Sequence, residues 1–238
     1  MKLPFVALLC FTFSVTCFSK EIFEGTYSLT FKNTNGHISK LSISVKDSLV
    51  HLKNIEGGNP KYSHYIIDYR TGELTTVSQP DKKVAIVYPL YKLLELYERN
   101  KLKDGYKVNS ETAYKPSGQL KEEYGIKMTK YTAEDKTEKT SFWHSESPFD
   151  FNQLIPFLRL IDGWNSAQMP KGTIWETEVT NKGSKNMSTV VLTFKKEFIA
   201  DKIFEVPQDY LRKDFVKLIE GEKMNKQLNT IIKAFTEF

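Results

Sequence analysis

The chain has 238 residues, enough for one large β-rich domain or two small ones. Its apolar share of 40% and charged share of 26% exclude a disordered or low-complexity chain. A formal charge of +5, with Lys and Arg scattered among Asp and Glu, describes a solvated surface and tells against a nucleic-acid footprint. Phe and Tyr, at 16 and 12, far outnumber the 3 Trp, a load that suits strands better than helices.

Residues 1–19 read as a secretory signal peptide: Lys2, an apolar run over residues 3–17, and small residues Cys17 and Ser19 before a cut. The alternative is a lipoprotein anchored at Cys17; Thr16 before it and the short distance to the first strand tell against that. Either way the expected location is periplasmic or secreted. Both cysteines, Cys10 and Cys17, fall in the leader, so no disulfide, thiol nucleophile or thiolate ligand is expected in the exported chain.

A domain is expected over residues 20–212. Strands are read at 22–31, 38–45 and 49–55, separated by Asn33-Thr34-Asn35-Gly36 and closed by Gly57-Gly58-Asn59-Pro60. Two ribbons organise the rest. Residues 65–88 alternate with period two and turn at Arg70-Thr71-Gly72-Glu73 and at residues 79–83; residues 125–143 repeat the plan with a turn at 133–136. Between them, Leu90, Leu93, Leu94 and Tyr97 share a helical face. Residues 99–122 are polar and patternless: a mobile flap, or loop with a short strand at Tyr106-Lys107-Val108.

Residues 151–161 have helical period with Asp150 as N-cap. A hairpin over 172–180 and 188–196 follows, then a short strand at 203–207. The remainder reads as helical, with residues 213–238 a C-terminal amphipathic helix that covers the sheet, meets a partner or lies on a membrane surface. The total is roughly nine to eleven strands and three helices. The fold class is therefore α+β, mostly β: a highly curved antiparallel sheet with helices on its concave side.

No catalytic constellation emerges. His37, His51, His64 and His144 sit in no metal-ligand spacing, and no nucleophile elbow or phosphate loop is present. Asp68 and Glu73 flank a hairpin turn, where they balance Arg70. No enzyme activity, metal or cofactor is expected. Tyr65, Tyr88, Phe142, Trp143 and Trp175 line either a ligand cavity or plain core, and Trp164 belongs to the same aromatic set. Phe151, Leu154, Ile155 and Leu158 form either a lid helix over that cavity or a core helix.

Several segments together resemble a family: Phe23-Glu24-Gly25, Ile66-Ile67-Asp68-Tyr69, residues 125–131, Thr140-Ser141-Phe142-Trp143, Met169-Pro170-Lys171-Gly172 and residues 204–210. The chain is similar over residues 22–210 to an exported bacterial family of unknown function, common in Bacteroidetes, that resembles the LolA/LolB lipoprotein-carrier fold. That resemblance implies a half-open barrel with a helical lid over an apolar cavity, and a lipid, acyl chain or lipoprotein as ligand. Members often carry a cysteine near the position of Met128, absent here, which argues against a redox role; residues 214–238 are an addition. The second reading is an envelope interaction module that uses a sheet edge or the C-terminal helix, in peripheral contact with membrane or envelope protein.

Overall fold

The computed structural model describes residues 22–32, 35–56, 62–93, 95, 113–134, 136, 138–154, 169–182 and 189–216. The leader, the strand expected at 106–108, Ile155, Leu158, Trp164 and residues 217–238 lie outside them.

Among the described residues twelve strands form one sheet: β1 Glu24–Lys32, β2 Ile38–Lys46, β3 Leu49–Glu56, β4 Tyr62–Asp68, β5 Glu73–Ser78, β6 Val84–Pro89, β7 Lys115–Glu123, β8 Ile126–Glu134, β9 Glu138–Ser145, β10 Thr173–Asn181, β11 Thr189–Lys196 and β12 Leu211–Asp214. Their order is β12-β6-β5-β4-β3-β2-β1-β11-β10-β9-β8-β7. Two antiparallel meanders, β1–β6 and β7–β11, are joined where β11 pairs with β1. Of these strands only β12 runs parallel, alongside β6. The sheet is open, ending on β12 and β7 among the described residues.

Local chemistry sets the turns. Asp68 Oδ1 accepts from the backbone N–H of Arg70 (2.8 Å) and Thr71 (3.3 Å), and Gly72 follows at φ +70°. Tyr124 and Gly125, both at positive φ, make the two-residue turn between β7 and β8.

Pairing then aligns alternate residues into transverse rows on one face. One row runs Asn54, Leu41, Leu29, Leu192, Thr177, Phe142, Tyr131. The next runs Tyr65, Leu52, Ile43, Tyr27, Phe194. Most of these side chains are buried in a single core. Each large apolar one contributes roughly 1.5–3 kcal/mol on burial, against 0–1 for an exposed ion pair such as Lys40–Glu56, so this face holds the fold.

The opposite face is crossed by residues 197–210. This strap leaves β11 at the Glu24–Lys46 end of the strands and reaches β6 at Val84, the other end. The Glu24 carboxylate accepts from Ile199 N–H at 2.5 Å; Lys46 donates to Ile199 O at 3.1 Å and pairs with Asp201 at 2.7 Å. Phe204 meets the His51 ring edge-on at 6.5 Å, and Lys83 pairs with Asp209 at 2.8 Å. Ile66 and Val77, on the face the strap crosses, are buried too.

Four elements differ from expectation. Lys115–Glu123, read as part of a polar connection, is strand β7; its ladder with β8 supplies the order that its exposed side chains cannot. Residues 203–207 are no strand: Asp201–Phe204 is a 3-10 helix within the strap, which crosses the sheet face and pairs with no strand among the described residues. Leu211–Asp214, expected to be helical, is strand β12, recruited by the free edge of β6. Phe151–Gln153 is a 3-10 turn, capped by Asp150 as expected. Residues 90–93 are helical, with Leu90 and Leu93 buried.

Candidate functional site

The candidate site is the aromatic end of the inner face. Phe194 is its hub: its ring lies 5.0 Å from Phe23, 4.7 Å from Tyr27 and 5.0 Å from Trp175. Phe149 stacks on Phe23 at 5.3 Å, and Phe151 meets Tyr27 edge-on at 5.6 Å.

Phe149 and Phe151 are held by a polar clamp at the start of β10. Thr173 Oγ1 accepts from Phe149 N–H (2.8 Å) and donates to Phe149 O (2.6 Å). Gly172 O accepts from Phe151 N–H at 2.7 Å, while Asp150 Oδ1 accepts from Gly172 N–H and from Asn152. Trp175 Nε1 donates to Ser145 Oγ at 2.9 Å. From the far end of the 3-10 turn, Gln153 O accepts a bond from the Tyr69 hydroxyl at the end of β4.

Of the residues singled out from sequence, Tyr65, Tyr88, Phe142, Phe151, Leu154 and Trp175 are all buried in the one core. They divide among three groups. Trp175 and Phe151 join the Phe194 cluster; Phe142 lies between Tyr114 and Tyr131; Tyr65 packs on Tyr62, and Tyr88 on Phe215 at 4.6 Å. Trp143, next to Phe142 in β9, points to the other face, since neighbouring strand residues alternate. It is half-buried, with the ammonium groups of Lys121 and Lys130 4.8 and 5.8 Å from its ring centre. Ile155 and Leu158 lie outside the described residues.

Phe23, Tyr27, Phe149 and Phe194 belong to the site, and Phe215 packs beside Tyr88 in another group; none of these five was singled out. Tyr27 and Phe194 carry a readable signal, since each shares parity with apolar neighbours in its own strand. Phe149 and Phe215 carry none.

The inner face is not wholly apolar. The hydroxyls of Tyr27 and Thr177 and the side-chain nitrogen of Asn54 are buried with no hydrogen-bond partner among the described residues. Each such unmade bond costs roughly 1–3 kcal/mol. Burial pushes the Tyr27 phenol far above its ordinary range, so it keeps its proton.

The histidines do not converge. His37 is exposed at a turn. His144 donates from Nε2 to Lys171 O at 2.9 Å. His51 and His64 face the strap, rings 4.8 Å apart, with Ser63 Oγ 2.8 Å from His64 Nδ1. Among the described residues no group of three or more His, Cys, Asp or Glu is placed to hold a metal ion.

Burial, with help from His64 and Lys53, lowers His51 from 6.5 to about 4; burial and Lys53 lower His64 as well. A depressed histidine favours the fold only while neutral. The His51 contribution is complete above pH 6.5 and is lost as pH falls toward about 4. Urea midpoints should therefore fall between pH 7 and pH 4.5, by an amount worth about 1–2 kcal/mol after allowance for solvent screening. His51→Gln should flatten that slope; an equally steep profile in the variant would refute the assignment.

Neither a family model nor a curated protein sequence matches this chain. Solved structures resemble it at low similarity. A crystal structure of PNGF-II is 13% identical at a TM-score of 0.36, covering 82% of this chain and 32% of its own. An uncharacterized conserved protein from Thermus thermophilus is 7% identical at 0.39, covering 79% and 90%. A LolA superfamily protein from Nitrosomonas europaea is 14% identical at 0.30, covering 82% and 93%. This chain thus spans about a third of PNGF-II. The described residues are mostly β, built on one open twelve-stranded sheet with a buried aromatic face.

Proposed function

We propose that this chain is an exported, non-catalytic binding or carrier module for a lipid, acyl chain or lipoprotein. It works in the periplasm or outside the cell, and its site is the inner aromatic face. The observation that carries the reading is the continuity of that face: one core runs through most of the strands of an open sheet, lined by rigid rings and few polar groups.

The sheet is taken to curl as a half-open barrel with the 150–154 turn on its concave side. The bond from Tyr69 to Gln153 supports this. Five strand steps separate β4 from β10, roughly 24 Å on a flat sheet. Two residues of chain reach no more than about 7 Å, and a tyrosine side chain adds about as much again, well short of the gap.

The alternative is an envelope interaction module using a sheet edge or the C-terminal helix; its sheet-edge form meets an obstacle at β7. That edge strand carries Pro116, a register shift between Pro116 and Leu120, and charges at Lys121, Glu122 and Glu123, all of which discourage strand addition.

The test is lipid extraction of the protein purified from an envelope fraction, read by mass spectrometry, followed by titration with N-phenyl-1-naphthylamine. A co-purifying acyl lipid and saturable, lipid-displaceable fluorescence are expected. No extractable lipid together with no saturable signal would end the proposal.

A further inference from the structure

Resting on that carrier reading, we infer that the preferred cargo is an acyl chain bearing oxygen acceptors, an ester or carboxylate, read by the buried donors Tyr27, Thr177 and Asn54. A plain hydrocarbon would leave those donors unmet.

The argument starts from where the three groups lie. Asn54 and Thr177 stand at either side of the row Leu41, Leu29, Leu192, which forms an apolar floor. Tyr27 lies in the adjoining row, two residues along β1 from Leu29. All three therefore flank one stretch of the inner face, on three strands that belong to both meanders. Each is buried and lacks a hydrogen-bond partner among the described residues. Each can donate, and the Asn54 side-chain nitrogen can do nothing else.

A core that served packing alone would place Phe, Val and Leu at these positions at a gain in stability, because buried polar groups left unmet oppose folding. Unmet donors beside a continuous apolar floor match a ligand with a long hydrocarbon part and a small, acceptor-only polar part. Carbonyl and carboxylate oxygens accept without needing a donor in return. An ammonium headgroup, which only donates, would leave the Asn54 nitrogen unanswered.

The test compares methyl decanoate with tridecane, which has the same number of heavy atoms, by displacement of N-phenyl-1-naphthylamine from the full chain. The quantity read is the ratio of the two affinities. Tyr27→Phe and Thr177→Val should each lower that ratio about five- to tenfold, one hydrogen bond's worth, while tridecane affinity holds. The melting temperature of Tyr27→Phe should hold or rise, because the oxygen removed has no partner among the described residues. A ratio unchanged in both variants overturns this inference and leaves the carrier reading standing. Failure of both compounds to displace the fluorophore from the wild-type chain overturns the carrier reading, and this inference with it.

Discussion

Replacing Gly172 with alanine should cost at least about 3 kcal/mol, a large share of an ordinary protein's stability. Two effects combine. The backbone there has φ +130°, a conformation that L side chains rarely adopt. A Cβ would also lie 2.8 Å from His144 Nε2, 2.9 Å from the Glu146 carbonyl carbon, and closer still to the Ser145 carbonyl oxygen. These are largely backbone atoms of β9 and its exit, fixed by the Thr173–Ser145 pairing, so they cannot step aside. Displacing Gly172 also strains its bonds to Phe151 and Asp150, and with them the clamp that seats Phe149 and Phe151. Gly36→Ala is the control: φ there is +78° with nothing within 4 Å of a Cβ, so about 1 kcal/mol is expected. Urea titrations followed by circular dichroism separate the two. Equal, small losses at both positions would refute the close-approach argument.

The meanders could be read from sequence because their strands are half-buried. Tyr27 and Leu29 against Ser28, or Leu192 and Phe194 against Thr193, show the period-two contrast that one dry face imposes. The strands that escaped reading lack it. In β7 every residue from Lys115 to Leu120 is exposed, so no alternation exists to find; backbone bonds to β8 hold it in place. β12 is four residues long and depends on an unpaired edge that only the assembled sheet provides. Asp201–Phe204 misled in the opposite sense. Ile203 and Phe204 look like strand residues because they are apolar, yet they lie in a 3-10 turn whose Phe204 seats the crossing strap on His51.

The site was legible by parity and illegible by assembly. Tyr65, Tyr88 and Phe142 stand on the inner face because their strands alternate. Trp143 could not share a face with Phe142, and adjacency within β9 decides this once the strand is accepted. No periodicity announces Phe149, which sits in the exit from β9 and enters the core through Thr173, 24 residues later in the chain. The unmet hydroxyl of Tyr27 was equally hidden. Only the packed rows show that nothing among the described residues answers it.

Phe194→Ala should be the costliest truncation on the inner face, at about 3–5 kcal/mol. Its ring touches Phe23, Tyr27, Trp175 and Tyr124, so removal strips one wall from four aromatic neighbours at once. The site can refill only poorly, because two of those neighbours are held elsewhere: Trp175 by Ser145, and Phe23 by its stack on the clamped Phe149. Phe198, four residues on, is 81% exposed beside Lys46, so Phe198→Ala should change stability by less than about 0.5 kcal/mol. The contrast bears on function as well as folding. A hole of phenyl size beside Tyr27 enlarges the proposed site, so the variant should accept a longer chain than the wild type despite its lower stability. Chemical denaturation with and without added fatty acids of increasing length reads both effects. A loss below about 1.5 kcal/mol would show that Phe194 is replaceable packing, and would remove the hub on which the candidate site is built.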